Sequence, residues 1–299
     1  MSSSKTVAFI GLGVMGGPMT GHLARAGHRV AAYNRSPERA QKWQERWEAE
    51  GLDVVFEESP ANAAKDAEIV FTCVGNDEDL MEVTSGDHGV FSTMKRGALL
   101  VDHTTVSAHM ARVTDLRAEG KGIQTIDAPV SGGQAGAENG QLAIMCGGTA
   151  EAMARAEPVM QCYAKSIVHV GPIGTGQIAK MANQMCIAGV LGGLSEAIRL
   201  AEAAGLDLDK TYEAISGGAA QSWQMDNRWA TMTAGEFDFG FAIDWMRKDL
   251  AYALAEAKDL GLSSPITSLV DQFYAEVQTN GGGRRDTSAL ITRLPKPSR

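Results

Sequence analysis

The sequence predicts a doubly wound α/β sheet over residues 1–172, followed by an all-α domain over residues 173–299. Three observations carry this expectation. Short apolar runs alternate with helix-like stretches through the first half, the pattern of a parallel sheet flanked by helices. After Gly171 no strand-like run of useful length remains. Between the halves lies one long, strongly apolar helical pattern, from Gln177 to Ala204.

The strands come first. "TVAFIGLG" (6–13), "RVAAYN" (29–34), "DVVF" (53–56), "EIVFTCV" (68–74), "ALLVDHTT" (98–105) and "IQTIDAPV" (123–130) lack clean alternation, as parallel strands buried on both faces do. Between them, stretches such as "GPMTGHLARAG" and "SPERAQKWQERWEAEG" have helical spacing and a closing glycine. "LAIMCGG" (142–148) and "SIVHVG" (166–171) are expected to extend the same sheet. The pattern from Gln177 implies a helix of about 28 residues, about 42 Å long at about 1.5 Å per residue. Its opening turns are apolar nearly all round, which predicts burial between domains or subunits. Gly189, Gly192 and Gly193 are expected to let neighbouring backbones approach closely within a bundle. "DLDKTYEAIS", "WQMDNRWATMTAG", "DWMRKDLAYALAEAKDLG" and "SPITSLVDQFYAEVQTNG" supply the remaining helices, with Trp223, Trp229 and Trp245 read as packing residues.

Composition narrows the function. A chain of 299 residues can bury a sizeable core in each of two domains. Its 44% hydrophobic and 21% charged content is ordinary for a soluble protein, and a formal charge of -9 argues against nucleic acid or an anionic membrane as partner. "MSSSKTVAFIGLG" lacks the apolar run and cleavage region of a signal peptide. Glu196, Arg199 and Glu202 interrupt the most apolar segment, so no bilayer span is expected and the reading is cytoplasmic. Cys73, Cys146, Cys162 and Cys186 show no Cys-x-x-Cys spacing and are read as reduced, mostly buried thiols. His22, His28, His88 and His169 are scattered without zinc spacing, and no metal is expected.

The first motif is Gly11-Leu12-Gly13-Val14-Met15-Gly16, which leaves an apolar strand and opens a helix. Gly11 permits a tight turn, Gly13 lets backbone amides approach a pyrophosphate, and Gly16 lets helix pack on strand. The helix N-terminus adds unpaired N–H groups and partial positive charge. This makes the first domain a Rossmann-type dinucleotide fold. An NAD site ends its second strand with an acid that accepts from the ribose 2′-hydroxyl. Here that strand ends in Asn34-Arg35-Ser36. A carboxylate would repel a 2′-phosphate, whereas Arg35 can pair with it and stack on adenine, and Asn34 and Ser36 add neutral hydrogen bonds. The expected cofactor is NADP, ahead of NAD.

Three later segments, "VDHTTVS" (101–107), "DAPVSGGQAGAENGQL" (127–142) and "GTGQIAKMANQ" (174–184), narrow the chemistry. With the first motif, in this order from Val7 to about Leu260, the chain resembles the β-hydroxyacid dehydrogenases, the family of 3-hydroxyisobutyrate dehydrogenases and tartronate semialdehyde reductases. The resemblance implies a substrate carboxylate held near Ser131, Gly132 and Gly133, a catalytic lysine at Lys180 and a substrate-orienting amide at Asn183. It implies further that Lys248, Thr105, Cys73 and Val74 lie along the cofactor.

The residues suit those roles. Ser131-Gly132-Gly133 follows an apolar strand at the carboxyl end of the sheet, where ligands of open α/β folds bind, and its small residues expose amides to a carboxylate. Lys180 and Asn183 stand three apart on one helix and share a side. A carbonyl oxygen gains negative charge as hydride reaches its carbon, and a buried lysine can then give it a proton. His103 and His109 flank the threonine turn without a partner and are read as structural; Asp127, before Pro129, is read as fixing a turn.

The expected activity is therefore an NADP-preferring oxidoreductase interconverting a small β-hydroxy acid and its semialdehyde, self-associated as a homodimer or homotetramer. Glyoxylate or succinic semialdehyde reduction, imine reduction, 6-phosphogluconate oxidation and a non-catalytic NADP-binding scaffold are the alternatives. Lys180 argues against an imine reductase, and the helical domain is short for a 6-phosphogluconate enzyme. Phe239, Asp244, Trp245 and His103 depart from the family pattern and are expected to reshape the pocket.

Overall fold

The computed structural model describes residues 4–296. The chain divides into two compact units, Met1–Lys180 and Met181–Arg299.

The first unit alternates strands and helices: β1 (Thr6–Ile10), α1 (Gly16–Arg25), β2 (Arg29–Tyr33), α2 (Pro37–Ala49), β3 (Val54–Phe56), α3 (Pro60–Ala64), β4 (Ile69–Thr72), α4 (Asp77–Ser85), β5 (Leu99–Asp102), α5 (Ala108–Glu119) and β6 (Gln124–Asp127). β7 (Val130–Ser131), α6 (Gly133–Glu138), β8 (Leu142–Gly148), α7 (Ala150–Met160) and β9 (Ala164–Gly171) complete it. One 9-stranded sheet results, ordered β3-β2-β1-β4-β5-β6-β8-β7, with β9 also on β8. It is parallel through β6; β8 then runs antiparallel to β6 and β7 and parallel to β9. The extension of the sheet by the last strands is as expected. The expected strand over 123–130, however, is two strands, because Pro129 lacks an amide and the chain turns there.

Burial on both faces is visible within β1. Val7 and Phe9 enter one core with Phe71, Leu99 and Tyr163, whereas Ala8 and Ile10 enter the other with Val70 and Leu100. Phe9 stacks on Phe71 at 5.9 Å, and Phe71 on His103 at 5.8 Å. Side-chain oxygens of Ser36, Ser59, Asn76, Ser107 and Thr149 cap α2, α3, α4, α5 and α7. No side chain caps α1.

Helix α8 (Thr175–Ala203) starts in the first unit and runs into the second. There α9 (Leu208–Ser216), α10 (Trp223–Ala234), α11 (Ile243–Asp259) and α12 (Pro265–Val277) pack around Leu191, Ile198, Trp229, Leu250, Val270 and Tyr274. A π turn (Gln278–Gly282) and a 3-10 turn (Thr287–Arg293) follow. The buried carboxylate of Asp286 closes this end, accepting from Arg228 Nε at 3.0 Å and Phe241 N at 2.9 Å. Among the described residues no helix is long and apolar enough to cross a membrane.

Within one chain α8 keeps exposed positions at Ala182, Cys186, Val190 and Leu200. Other expectations fail. A side chain at Gly192 would meet Val270 at an ordinary 3.5 Å, and one at Gly193 would meet nothing, so close approach does not require these glycines. Trp229 is buried, but Trp223 and Trp245 are exposed and lie against the cations of Arg228 and Lys248. Of the four free cysteines only Cys146 is buried.

Candidate active site

The turn after β1 is shaped by what glycine lacks. Gly11 has φ +98°, and a side chain there would collide with the Cys73 carbonyl at the end of β4. A side chain at Gly16 would strike the Gly11 carbonyl, whereas one at Gly13 would meet nothing within 4 Å. The amides of Gly13, Val14 and Met15 bond no protein acceptor among the described residues. They stand before an uncapped helix end, which carries partial positive charge. The arrangement suits a phosphate group.

The neighbouring strand ends form the rim of this cradle. Asn34 Oδ1 accepts from Leu12 N at 2.9 Å, and its Nδ2 donates to Ser36 O at 2.9 Å. Ser36 Oγ accepts from Arg39 N and donates to Glu38 Oε2 at 2.8 Å. These two residues therefore also brace the rim from within. Arg35 has an 80% exposed side chain and reaches across to Asp79 on α4, 2.6 Å from its Oδ1. Cys73 N donates to Ile10 O at 2.9 Å, and Val74 N to Thr104 Oγ1 at 3.0 Å. Thr104 thus holds the ends of β4 and β5 together, with half-buried Thr105 next to it.

Beyond β6, Ser131 pairs with Ala143 of β8 and leads into Gly132 and Gly133, both with positive φ and both exposed. Their backbone opens α6. The far end of α6 is tied to α1, because His22 Nε2 donates to the carbonyls of Ala137 and Glu138 at 3.0 and 3.1 Å.

The start of α8 is built differently. Asp127, 2% exposed at the end of β6, accepts from Gly174 N on Oδ1 at 2.7 Å and from Gln177 N on Oδ2 at 2.8 Å. It caps α8 rather than merely fixing the turn before Pro129. Burial pushes its carboxyl up to about 7, against the opposing pull of those two amides. Gln177 in turn accepts from Val106 N at 3.2 Å and donates to Thr104 O at 2.8 Å. One turn further along the same side stands Lys180, 7% exposed.

His103 lies inside the sheet core, with Nδ1 2.6 Å from Ala128 O and Nε2 2.9 Å from Tyr163 Oη. Burial drives its pKa down to about 4, so it stays neutral and does not shape a pocket. In the second unit, Asn183 Nδ2 donates to Gln184 Oε1 at 2.8 Å, and Gln184 Nε2 to Asp249 Oδ2 at 2.6 Å. Asp249 also pairs with Lys248 Nζ at 3.2 Å, so a buried Gln–Asp link joins Asn183 to Lys248. Asp244 accepts from Gln278 at 2.6 Å, and Phe239 lies 5.0 Å from the Arg228 guanidinium. Asp244 and Phe239 thus contact other residues of the helical unit, whereas the Trp245 ring lies 5.7 Å from Lys248 Nζ.

Residues 6–171 match the family described as the NAD binding domain of 6-phosphogluconate dehydrogenase. Residues 174–294 match the NAD-binding family of NADP-dependent 3-hydroxyisobutyrate dehydrogenase. The chain is 53% identical to an uncharacterized oxidoreductase of Shewanella frigidimarina, over 97% of this chain and 98% of that one. It is 34% identical to the 2-hydroxy-3-oxopropionate reductase of Escherichia coli, over 96% of each. The Mycobacterium tuberculosis 3-hydroxyisobutyrate dehydrogenase structure with L-serine superposes with a TM-score of 0.87 at 31% identity, covering 97% of this chain and 99% of the other. The chain belongs to the 3-hydroxyisobutyrate dehydrogenase family.

As a β-hydroxyacid dehydrogenase it is an NAD(P)-dependent oxidoreductase acting on CH–OH groups, and its first unit is the Rossmann domain. The cradle fits the dinucleotide: space before Gly13, three available amides and an uncapped α1 coincide. In the dehydrogenase the carboxyl ends of β1, β2, β4 and β5 carry the cradle, Asn34–Ser36, Cys73–Val74 and Thr105. The bracing roles of Asp127, Gln177, His22, Thr104, Gln184 and Asp249 escaped the sequence reading. Asp127, Thr104 and the two glutamines lie within the three polar segments it singled out, whereas His22 and Asp249 carried no signal of their own.

Proposed function

We propose that this dehydrogenase interconverts a small β-hydroxy acid and its semialdehyde, with NADP preferred and Lys180 as general acid and base. The observation that carries the reading is a buried lysine one turn beyond Gln177, whose side chain ties α8 to the Thr104–Val106 turn at the carboxyl edge of the sheet. The substrates named for two relatives, 3-hydroxyisobutyrate and 2-hydroxy-3-oxopropionate, are short carboxylates oxygenated at the β carbon.

The Gly13, Val14 and Met15 amides would hold the cofactor, whose chemistry would be hydride donation to a carbonyl carbon. The chain supplies the rest. Ser131 and the amides of Gly132 and Gly133 hold the carboxylate, and Asn183 orients the carbonyl. Lys180 Nζ gives its proton to the carbonyl oxygen as charge develops there, and regains one from solvent. In the oxidative direction it removes the hydroxyl proton. Arg35 exchanges Asp79 for the 2′-phosphate, an exchange that is cheap because an exposed ion pair is worth about 0–1 kcal/mol.

Lys180→Ala should lower kcat for semialdehyde reduction by roughly 10²–10⁴-fold, the usual contribution of a positioned acid. Retention of most of the activity would end the mechanism. Self-association belongs to the same reading. Of the exposed positions from Ala182 to Leu200 on α8 only Glu196 is charged, and Ile266 and Leu269 of α12 are exposed as well. Sedimentation showing only monomer at micromolar concentration would exclude it.

A further inference from the structure

The carboxylate of Asp127 has no cation beside it among the described residues; backbone amides satisfy both of its oxygens. Those amides belong to Gly174 and Gln177, one before and one within the first turn of the 29-residue α8. Two further backbones close on the same group. A side chain at Gly147 of β8 would collide with Oδ1, and one at Gly176 would press on the Asp127 carbonyl and Oδ2. The ends of β6 and β8 and the beginning of α8 thus meet at one carboxylate with no room to slide. Gln177 extends the constraint to Thr104 and Val106. A helix fixed at its first turn both along and about its axis presents its next residues at a fixed height and angle. The next polar residue is Lys180.

We propose that Asp127 is the positioning residue for Lys180: by clamping the N-terminus of α8 to the carboxyl edge of the sheet, it sets where the lysine nitrogen stands relative to the substrate carbonyl. This rests on the acid–base reading of Lys180. Asp127 touches neither cofactor nor substrate in this assignment. Two carboxylate oxygens suit the task because two N–H groups diverge from the helix end. An asparagine keeps the size but turns an NH₂ toward one of those donors, so the first turn must shift to relieve it. Displacement of a reacting group by about 1 Å can cost on the order of 10²-fold in rate.

The experiment compares wild type, Asp127→Asn, Lys180→Ala and the double variant, with NADPH and a short semialdehyde that wild type turns over. Asp127→Asn should lower kcat about 10–100-fold while leaving KM and the NADPH Kd within about threefold. Placed on Lys180→Ala, it should lower the residual kcat by less than about threefold, since no lysine remains to be positioned. The proposal is overturned if Asp127→Asn keeps the wild-type kcat, if its loss lies in KM or Kd, or if the two losses multiply in full. Should Asp127→Asn fail to fold, Asp127→Ser, which keeps one capping oxygen, carries the same comparison. A Lys180→Ala variant of wild-type rate would instead refute the acid–base reading. A dead Lys180→Ala beside an unimpaired Asp127→Asn refutes the positioning role alone.

Discussion

Two helices of the first unit begin at the same edge of the sheet, and they begin in opposite ways. α1 starts at the third glycine of its motif, with no side-chain cap and with preceding amides that bond no protein acceptor among the described residues. α8 starts on a buried carboxylate, and a glutamine side chain then ties it to the threonine turn. The partial charge and unpaired N–H groups at a helix start are common to both. Left uncapped, they receive an anion from outside. Capped from within, they become an anchor, and the helix can hold a reactive residue still. The difference lies in a few small residues on one side and one acid on the other.

Substitutions at the glycines should have the greatest consequences. Gly11→Ala meets both a positive φ and the Cys73 carbonyl, and should destabilise the fold by about 3 kcal/mol or more. Gly13→Ala enters empty space, so its Tm should stay near wild type while NADPH affinity falls on the order of tenfold. Equal thermal losses in the two variants would show that the cradle serves shape rather than space.

The pH dependence of stability sharpens the other side. The Asp127 carboxyl rises from 3.8 to about 7 on folding, so the fold holds its proton more tightly and loses stability as pH climbs through that range. His103 falls from 6.5 to about 4, so the fold rejects its proton and loses stability as pH drops from 6.5 toward 4. Each effect is on the order of 3 kcal/mol, and between pH 4 and 6.5 they oppose one another. Urea unfolding of wild type should therefore vary little across that window. Asp127→Asn should lose stability steadily toward acid, and a flat profile in that variant would contradict the assignment.

The smallest effect concerns the rim. Arg35→Ala should raise the Kd for NADPH roughly tenfold and leave NADH within about twofold, as measured by nucleotide fluorescence. Equal changes would remove the 2′-phosphate from the reading.

The contiguous parts of the candidate site were legible in the sequence. The glycine motif, the SGG loop and the lysine each sit within a few residues of a strand end or a helix start, where periodicity and small residues mark them. β7 escaped because two residues after a proline have no period to detect. The antiparallel course of β8 escaped because strand direction is set by partners rather than by composition. Asp127 escaped for a related reason. Its amides lie 47 and 50 residues away, and a lone acid before a proline looks like any turn. Gln184 and Asp249, 65 residues apart, are polar positions on helices whose burial appears only when the second unit is packed. His103 is structural, as read, but its place in the core shows only once Phe71 and Tyr163 enclose it.

The imidazole of His22 joins two helices. It sits in α1, which opens at the glycine cradle, and grips the last carbonyls of α6, the short helix that opens at Gly133. The two openings are therefore opposite ends of one braced frame. One ring thus sets the spacing between the helix that follows the glycine turn and the helix that follows Ser131.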